Sequence, residues 1–436
     1  MARTRTHAPL NVFLNGRLVG RVTKAPSGSV DFRYDATWLN WEHAFPVSLS
    51  LPIREDRYIG ETVIAVFDNL LPDSDEIRRR VAERTAADGT DPFSLLSAIG
   101  RDCVGALQFL PEGTDPGVAG AVSGDAIDDE GIAELVGGLR QAPLGMRPDR
   151  AFRISIAGAQ DKTALLLCEG EWRVPSGSTP TTHIFKPQIG MLDNGIDFSR
   201  SVENEYFCMK LLTALGLRVA DTEILDFQGR RVLAVERFDR IWTRDGRLLR
   251  VPQEDCCQAL SIPSTRRYQS DGGPGIARLL ELFKASDRPE EDRVQFLKAQ
   301  TLFWLLGATD GHAKNFSVFL HAHGGFSRTP LYDVISVQPN LDAKQLRFNQ
   351  AKMAMSIGNN RHYVLHTIQP RHYVQTARTA GMSAETVNAL MEDIAERLPT
   401  AVESVAAKLP DDFPQAVSTS IVRGLVQRSR LLRASL

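Results

Sequence analysis

The chain has 436 residues, 43% hydrophobic and 24% charged, with a net charge of −2. A single core rarely grows past roughly 250–300 residues, so two or three substructures are expected and wholesale disorder is excluded. The charge balance excludes a chain that coats nucleic acid by bulk charge, and five cysteines (Cys103, Cys168, Cys208, Cys256, Cys257) without a C-x-x-C pair exclude a zinc ribbon and read as reduced thiols.

The opening M-A-R-T-R-T-H-A-P-L-N has no apolar stretch after its basic residues, so no secretory signal is expected. No run of about 20 apolar residues occurs, so no membrane span is expected either, and a cytoplasmic setting follows. Residues 11–23 alternate around Asn15-Gly16, the strongest short-range hairpin signal. Pro46 to Pro52 alternates Val47, Leu49 and Leu51 and predicts a further strand. Residues 61–84 change to helical spacing (Val63, Phe67, Leu70, Leu71), with a break at Pro72-Asp73. The stretch 112–130, rich in Gly, Asp and Ala, reads as linker.

From Phe152 a second unit begins. Strands are predicted at Ala164–Cys168, Thr182–Lys186 and Val232–Phe238, and a helix at about 201–215 with Ser201 as N-cap and Gly216 as stop. Beyond about 255 the pattern is mainly helical. Val294 to Leu306 is apolar on nearly every side, and Ser383 opens an amphipathic helix with Val387, Leu390, Met391, Ile394 and Leu398 on one face. The expected divisions are 1–111 (α+β), 112–150 (linker), 151–255 (α/β) and 256–436 (helical).

Chemistry concentrates in T-D-G-H-A-K-N (Thr309 to Asn315), between the apolar helix and a β-like run, Phe316 to Leu320. Asp310 precedes Asn315 by five positions, the spacing of a catalytic Asp and a metal-binding Asn in protein kinases. The carboxylate suits a proton acceptor, the amide oxygen suits Mg²⁺, and His312 and Lys314 offer charge between them. Alone, the segment fits a solvated polar loop equally well. Asp333 in L-Y-D-V, flanked by apolar residues, is a second candidate Mg²⁺ ligand, though D-F-G is absent. Lys186 ends a strand-like run, with Glu203 and Glu205 on the next helix as candidate partners. Ser155 to Thr163 (S-I-A-G-A-Q-D-K-T) has the small residues that let backbone N–H groups approach phosphate. D-G-G-P-G (Asp271 to Gly275) reads as a turn into a helix. Arg78–Arg80, Arg361/His362/Arg371/His372 and Arg423/Arg428/Arg430/Arg433 read as solvated faces.

Seven segments extend the pattern: F-D-N-L-L-P-D (67–73), L-L-S-A-I-G-R-D-C-V-G-A (95–106), F-R-I-S-I-A-G-A-Q-D-K-T-A-L-L (152–166), T-P-T-T-H-I-F-K (179–186), A-V-E-R-F-D-R (234–240), S-D-G-G-P-G-I-A-R (270–278) and G-A-T-D-G-H-A-K-N-F-S-V-F (307–319). Together they resemble the HipA family, kinase toxins of HipBA-type toxin–antitoxin pairs. The resemblance implies an α+β, two-lobed fold similar to protein kinases and phosphoinositide kinases, with an N-terminal α/β lobe and a mostly helical C-terminal lobe. It implies ATP and Mg²⁺ as cofactors, Asp310 as catalytic base, Asn315 and Asp333 as Mg²⁺ ligands, and Lys186 on the nucleotide phosphates. Ala157, Gly158, Ala159, Gln160, Asp161 and Lys162 would form the phosphate loop. Glu236, Arg237 and Phe238 would form the adenine hinge, with His312, Lys314 and Tyr332 completing the nucleotide site. Ser155 matches the family's autophosphorylated serine. The implied partners are a HipB-like helix-turn-helix antitoxin, operator DNA mainly through it, and an aminoacyl-tRNA synthetase as substrate, glutamyl-tRNA synthetase favoured. A competing reading, from the missing D-F-G and the basic patches, is a non-enzymatic, nucleotide-bound corepressor.

Overall fold

The computed structural model describes residues 7–146 and 153–434. Asn15 and Gly16 sit at φ 45° and 80°, the two left-handed positions that a tight type I′ hairpin demands. They join strands Leu10–Leu14 and Arg17–Lys24. Val30–Tyr34 and then Tyr58–Ile59 extend this antiparallel sheet on one side, and Leu107–Pro111 on the other. Helix Glu61–Asp68 lays Phe67 edge-on to Phe32 and Phe109, with centroids 5.8 and 5.1 Å away. The chain breaks at Pro72 as predicted, and Ser74 caps the next helix, Asp75–Thr85, by accepting the Ile77 N–H.

The strand expected at 46–52 does not form. Its polar groups find side-chain and distant backbone partners instead of a ladder. The Leu49 N–H donates to Glu254 Oε1 (2.7 Å), and Ser50 Oγ donates to the Gln258 carbonyl (2.7 Å).

A second sheet has the strand order Thr222–Phe227, Arg230–Glu236, His183–Pro187, Thr163–Cys168, Glu171–Pro175, Gly124–Ala126. The stretch 112–150 is therefore more than a connection. Gly124–Ala126 pairs with Glu171–Pro175, and Asp128 caps a helix, Asp129–Gly137, that buries Ile132, Leu135 and Val136. Glycine and aspartate serve there as cap and strand edge rather than as slack. The start expected at Phe152 lies outside the described residues.

The chain divides into two compact units. The first holds Met1–Pro187, Leu225–Thr265 and Val318–Phe326; the second holds Gln188–Ile224, Arg266–Ser317 and Ser327–Leu436. In the second, helix Pro289–Leu306 carries Glu290, Glu291 and Asp292 in its first turn, where the helix dipole favours anions. It is buried almost continuously from Phe296 to Leu306 and ends at Gly307 (φ 70°), where the Gly307 and Ala308 N–H groups close back on the Trp304 and Phe303 carbonyls. Ser383 caps Ala384–Ala406, which buries the five predicted apolar residues. Ser201 is not an N-cap but the first residue of helix Ser201–Ala214; its Oγ accepts the Ile189 N–H at 2.8 Å. The arginines of helix Gln415–Arg433 are not simply solvated, since Arg428 turns inward and donates Nε–H to the Leu305 carbonyl at 2.9 Å. The result is an α+β fold. Among the described residues no helix is long and apolar enough to cross a membrane, and all five cysteines are free.

Candidate active site

Gly307 ends the buried helix and delivers Thr309–Asn315 to one edge of the second unit. The Thr309 carbonyl there accepts the Ala354 N–H at 2.8 Å, so the loop lies beside strand Lys352–Ile357. Asp310 folds the loop around itself. Its backbone carbonyl accepts the His312 N–H (2.8 Å) and the Asn315 Nδ2–H (2.8 Å). The carboxylate is 61% exposed, and His312 Nε2 stands 4.0 Å from its Oδ2.

Tyr268, which the sequence reading did not single out, donates its hydroxyl to Asp310 Oδ1 at 2.5 Å. Its ring meets His312 edge-on at 4.9 Å. The surrounding protein raises the Asp310 pKa above the ordinary carboxylate value, and Asp333 adds to the rise; His312 and the Tyr268 hydroxyl oppose it. Tyr268 thus occupies one carboxylate oxygen and leaves the other for an acceptor. Tyr268→Phe is expected to cost roughly ten-fold in kcat, since hydrogen bonds to charged groups are worth about 1.5–3 kcal/mol and part is regained from water. Losing a donor to the charged form lifts the Asp310 pKa further, so the acid limb of the kcat–pH profile moves to higher pH. A merely structural role for Tyr268 would leave that limb in place.

Asp333 adopts φ 61°, a left-handed conformation that aspartate tolerates better than most residues. Its segment is held by backbone hydrogen bonds between Leu331 and both Arg218 and Ala220. Tyr332 donates to the Lys314 carbonyl at 2.8 Å and contacts Ser317 Oγ at 2.5 Å, tying this segment to the loop. The donor set fits magnesium. Asn315 Nδ2 is used on the Asp310 carbonyl, so the amide oxygen, the atom a hard cation takes, is not the one that holds the loop. Asp333 raises the Asp310 pKa, and a cation held by Asn315 and Asp333 would relieve that repulsion. Among the described residues no group of three or more His, Cys, Asp and Glu could hold a metal.

In the first unit, Ala157–Lys162 forms a loop running into strand Thr163–Cys168. Gly158 has φ 110°, and a Cβ there would strike the Lys162 ammonium, which donates to the Ala157 carbonyl at 2.8 Å. Gln160 donates to the Pro187 carbonyl and Arg80 lies 3.8 Å from Asp161. The loop is seated by parallel bridges, Ile154 with Asp102 and Gly158 with Pro72. Ser155 between them is fully buried, its Oγ donating to the Leu70 carbonyl at 2.7 Å. The segments 67–73 and 95–106 thus meet as the seat of this loop. Lys186 is buried in strand His183–Pro187, paired in register with Leu233. Glu203 and Glu205 belong to the second unit, where Glu203 accepts from Gln188 Nε2 at 2.7 Å.

In the expected hinge segment the Arg237 and Phe238 side chains have partners of their own. Glu236 is exposed and ends its strand, Phe238 packs edge-on to Phe319 at 5.8 Å, and the Arg237 side chain is buried. Its guanidinium binds Asp102 Oδ2 (3.2 Å) and Asp239 Oδ2 (2.8 Å), and its backbone N–H donates to the Thr182 carbonyl at 2.8 Å. Arg240 and Arg250 converge on Asp102 Oδ1 at 2.8 and 2.9 Å, and Thr181 donates to Oδ2. Charged residues interleaved with apolar ones in A-V-E-R-F-D-R were the available signal, since buried charges require partners.

Comparison with known proteins places this geometry. Residues 10–110 match the HipA N-terminal domain and residues 154–402 the HipA-like C-terminal domain. A Sinorhizobium fredii protein named "Putative kinase Y4mE" is 34% identical over 98% of this chain and 99% of its own length. The serine/threonine-protein kinase toxin HipA of Shewanella oneidensis is 26% identical over 92% of this chain and 90% of its own. The structure of Shewanella oneidensis HipA in complex with HipB and operator DNA superposes with a TM-score of 0.81 at 25% identity, covering 97% of both chains. By these matches the chain belongs to the HipA family of kinases.

Proposed function

We propose that this chain is a cytoplasmic serine/threonine kinase toxin that transfers the γ-phosphate of ATP to a serine of an aminoacyl-tRNA synthetase, glutamyl-tRNA synthetase first. The observation that carries the reading is Asp310, oriented by Tyr268 on one oxygen and open on the other. Asp310 Oδ2 orients the acceptor hydroxyl and takes its proton as that oxygen bonds to the γ-phosphorus and the bond to the bridging oxygen breaks, releasing ADP. Asn315 and Asp333 would hold magnesium, which neutralises phosphate charge. Ala157 to Lys162 and Lys186 would receive the phosphates, the Glu236–Phe238 segment the adenine, and His312, Lys314 and Tyr332 would flank the site. Synthetase modification would arrest translation and favour persistence. A HipB-like antitoxin that carries operator DNA is the expected partner, supported by the HipA–HipB–DNA complex that this chain resembles.

Labelled ATP and Mg²⁺ are supplied to the protein with a synthetase mixture; label is expected on one synthetase serine. No transfer to any synthetase or to itself, from folded protein unmodified at Ser155, would overturn the reading. Ser155 is the proposed self-modification site. It is solvent-inaccessible with its hydroxyl engaged, so a phosphate there cannot share the seat beside Leu70. Ser155→Ala is expected to keep synthetase transfer while intact mass shows no added phosphate. Ser155→Asp is expected to lose about ten-fold or more in transfer, since an unpaired buried charge costs several kcal/mol unless the loop leaves.

A further inference from the structure

Asp310 does not stand alone on its surface. It lines an open cavity of about 610 Å³, together with Tyr268 and the hairpin Lys352–Ile357/His362–Val364. Asp310 is the one acid among the described lining residues, whereas the hairpin brings Lys352, Arg361 and His362 to the same wall. Lys352 and Arg361 are exposed, and neither head group has an ion-pair partner among the described residues. Arg361 takes φ 53° at the hairpin tip. His362 is stacked at 3.9 Å and 3° on His372, which fixes that wall. Two unpaired cations in one cleft focus a positive potential beside a negatively charged base.

We infer that this groove binds the protein acceptor and selects a segment with a carboxylate close to the acceptor hydroxyl. The inference rests on the kinase reading of Asp310 and adds the chemistry of its substrate. Spacing sets the register. Ala354 N–H bonds the carbonyl of Thr309, the residue before Asp310, and Lys352 lies two positions along the same strand face, about 7 Å away. An extended peptide advances ~3.3 Å per residue. A serine at Asp310 therefore places a glutamate or aspartate two to four positions away within reach of Lys352 and Arg361, while Tyr268 and Tyr363 supply apolar walls.

The test measures binding first, so that it is independent of turnover. Fluorescein-labelled nine-residue peptides with a central serine and a Glu two, three or four positions away are titrated by anisotropy against Gln counterparts. At low salt the best Glu peptide is expected to bind about five- to ten-fold more tightly, the scale of two exposed ion pairs, and 1 M salt should abolish the difference. The variant Lys352→Ala with Arg361→Asn, chosen because asparagine accepts a left-handed φ, should equalise the two peptides. Lys352→Glu should turn the preference toward Lys-bearing peptides. Equal binding of Glu and Gln peptides by the unaltered protein would overturn the inference, as would a preference that survives the double substitution. Displacement of the Glu peptide by a single-stranded RNA oligonucleotide at lower concentration than by unlabelled Glu peptide would overturn it in favour of a polynucleotide. The same peptides are then offered with ATP and Mg²⁺. Selective binding without transfer to peptide, synthetase or self leaves the groove assignment standing and overturns the kinase reading instead.

Discussion

Replacing Asp310 with asparagine is expected to reduce phosphoryl transfer by about 10²–10⁴-fold, the contribution of a positioned general base. The substitution is isosteric, and the amide oxygen still accepts the Tyr268 hydroxyl, so the loop keeps its shape. What disappears is the proton acceptor. The carboxylate is largely exposed and the fold does not lower its pKa, so the variant should keep about the parent's stability. Nucleotide affinity should stay within about three-fold, because the proposed phosphate loop and Lys186 lie in the other unit. Single-turnover transfer together with nucleotide titration checks both statements. A rate within about three-fold of the parent would remove Asp310 from the mechanism.

The second large effect is on stability. Asp102→Asn is expected to cost about 3–5 kcal/mol, because it leaves buried Arg237 and Arg240 sharing Asp239 and deprives buried Arg250 of its carboxylate. For a unit of this size that lowers the melting temperature by roughly 6–20 °C. The pH dependence follows from the same cluster. Burial alone would raise the Asp102 pKa, but Arg240, Arg250 and Arg237 overcome it and hold the carboxyl well below the usual range; Asp239 is lowered likewise. The stabilisation is therefore complete above the unfolded pKa of about 3.9 and drains away as pH falls toward the folded value. Urea unfolding between pH 7 and about 2.5 should show a steep acid decline in the parent and a flatter one in Asp102→Asn. Equal slopes would show that Asp102 is not charged in the fold. Because the Asp102 carbonyl also accepts the Ser155 N–H at 2.9 Å, loosening of the loop should accompany the loss.

Much of this structure is written locally in the chain. Asn15-Gly16 makes its turn because few residue pairs adopt two consecutive left-handed conformations. The helix before the catalytic loop announces itself by an acidic first turn, an apolar body and a terminal glycine. The D-x4-N spacing could single out Asp310 and Asn315 because both lie in one loop, joined by the Asn315 amide and the Asp310 carbonyl. What could not be read were partnerships across long separations. The alternation at 46–52 mimics a strand, but Glu254 and Gln258, some two hundred positions on, take its polar groups. Tyr268 reaches Asp310 from 42 positions upstream and belongs to no spacing rule. Arg237 reads as hinge by position in its motif, yet its side chain serves a buried ion cluster whose other members start at Asp102.

Neither compact unit is a continuous stretch of chain. The first is opened at its beginning and closed only by Val318–Phe326, and the second needs Ser327–Leu436. During synthesis, the first unit's longest segment is complete at Pro187 but waits for Phe326, an interval of about 7–30 s at ribosomal rates of roughly 5–20 residues per second. A chain that stops before Phe326 holds neither unit whole, and one that stops later within Ser327–Leu436 holds only the first. The Asp310 loop therefore emerges before the unit that holds it is complete, and phosphoryl transfer is expected to wait for the last segment, Ser327–Leu436.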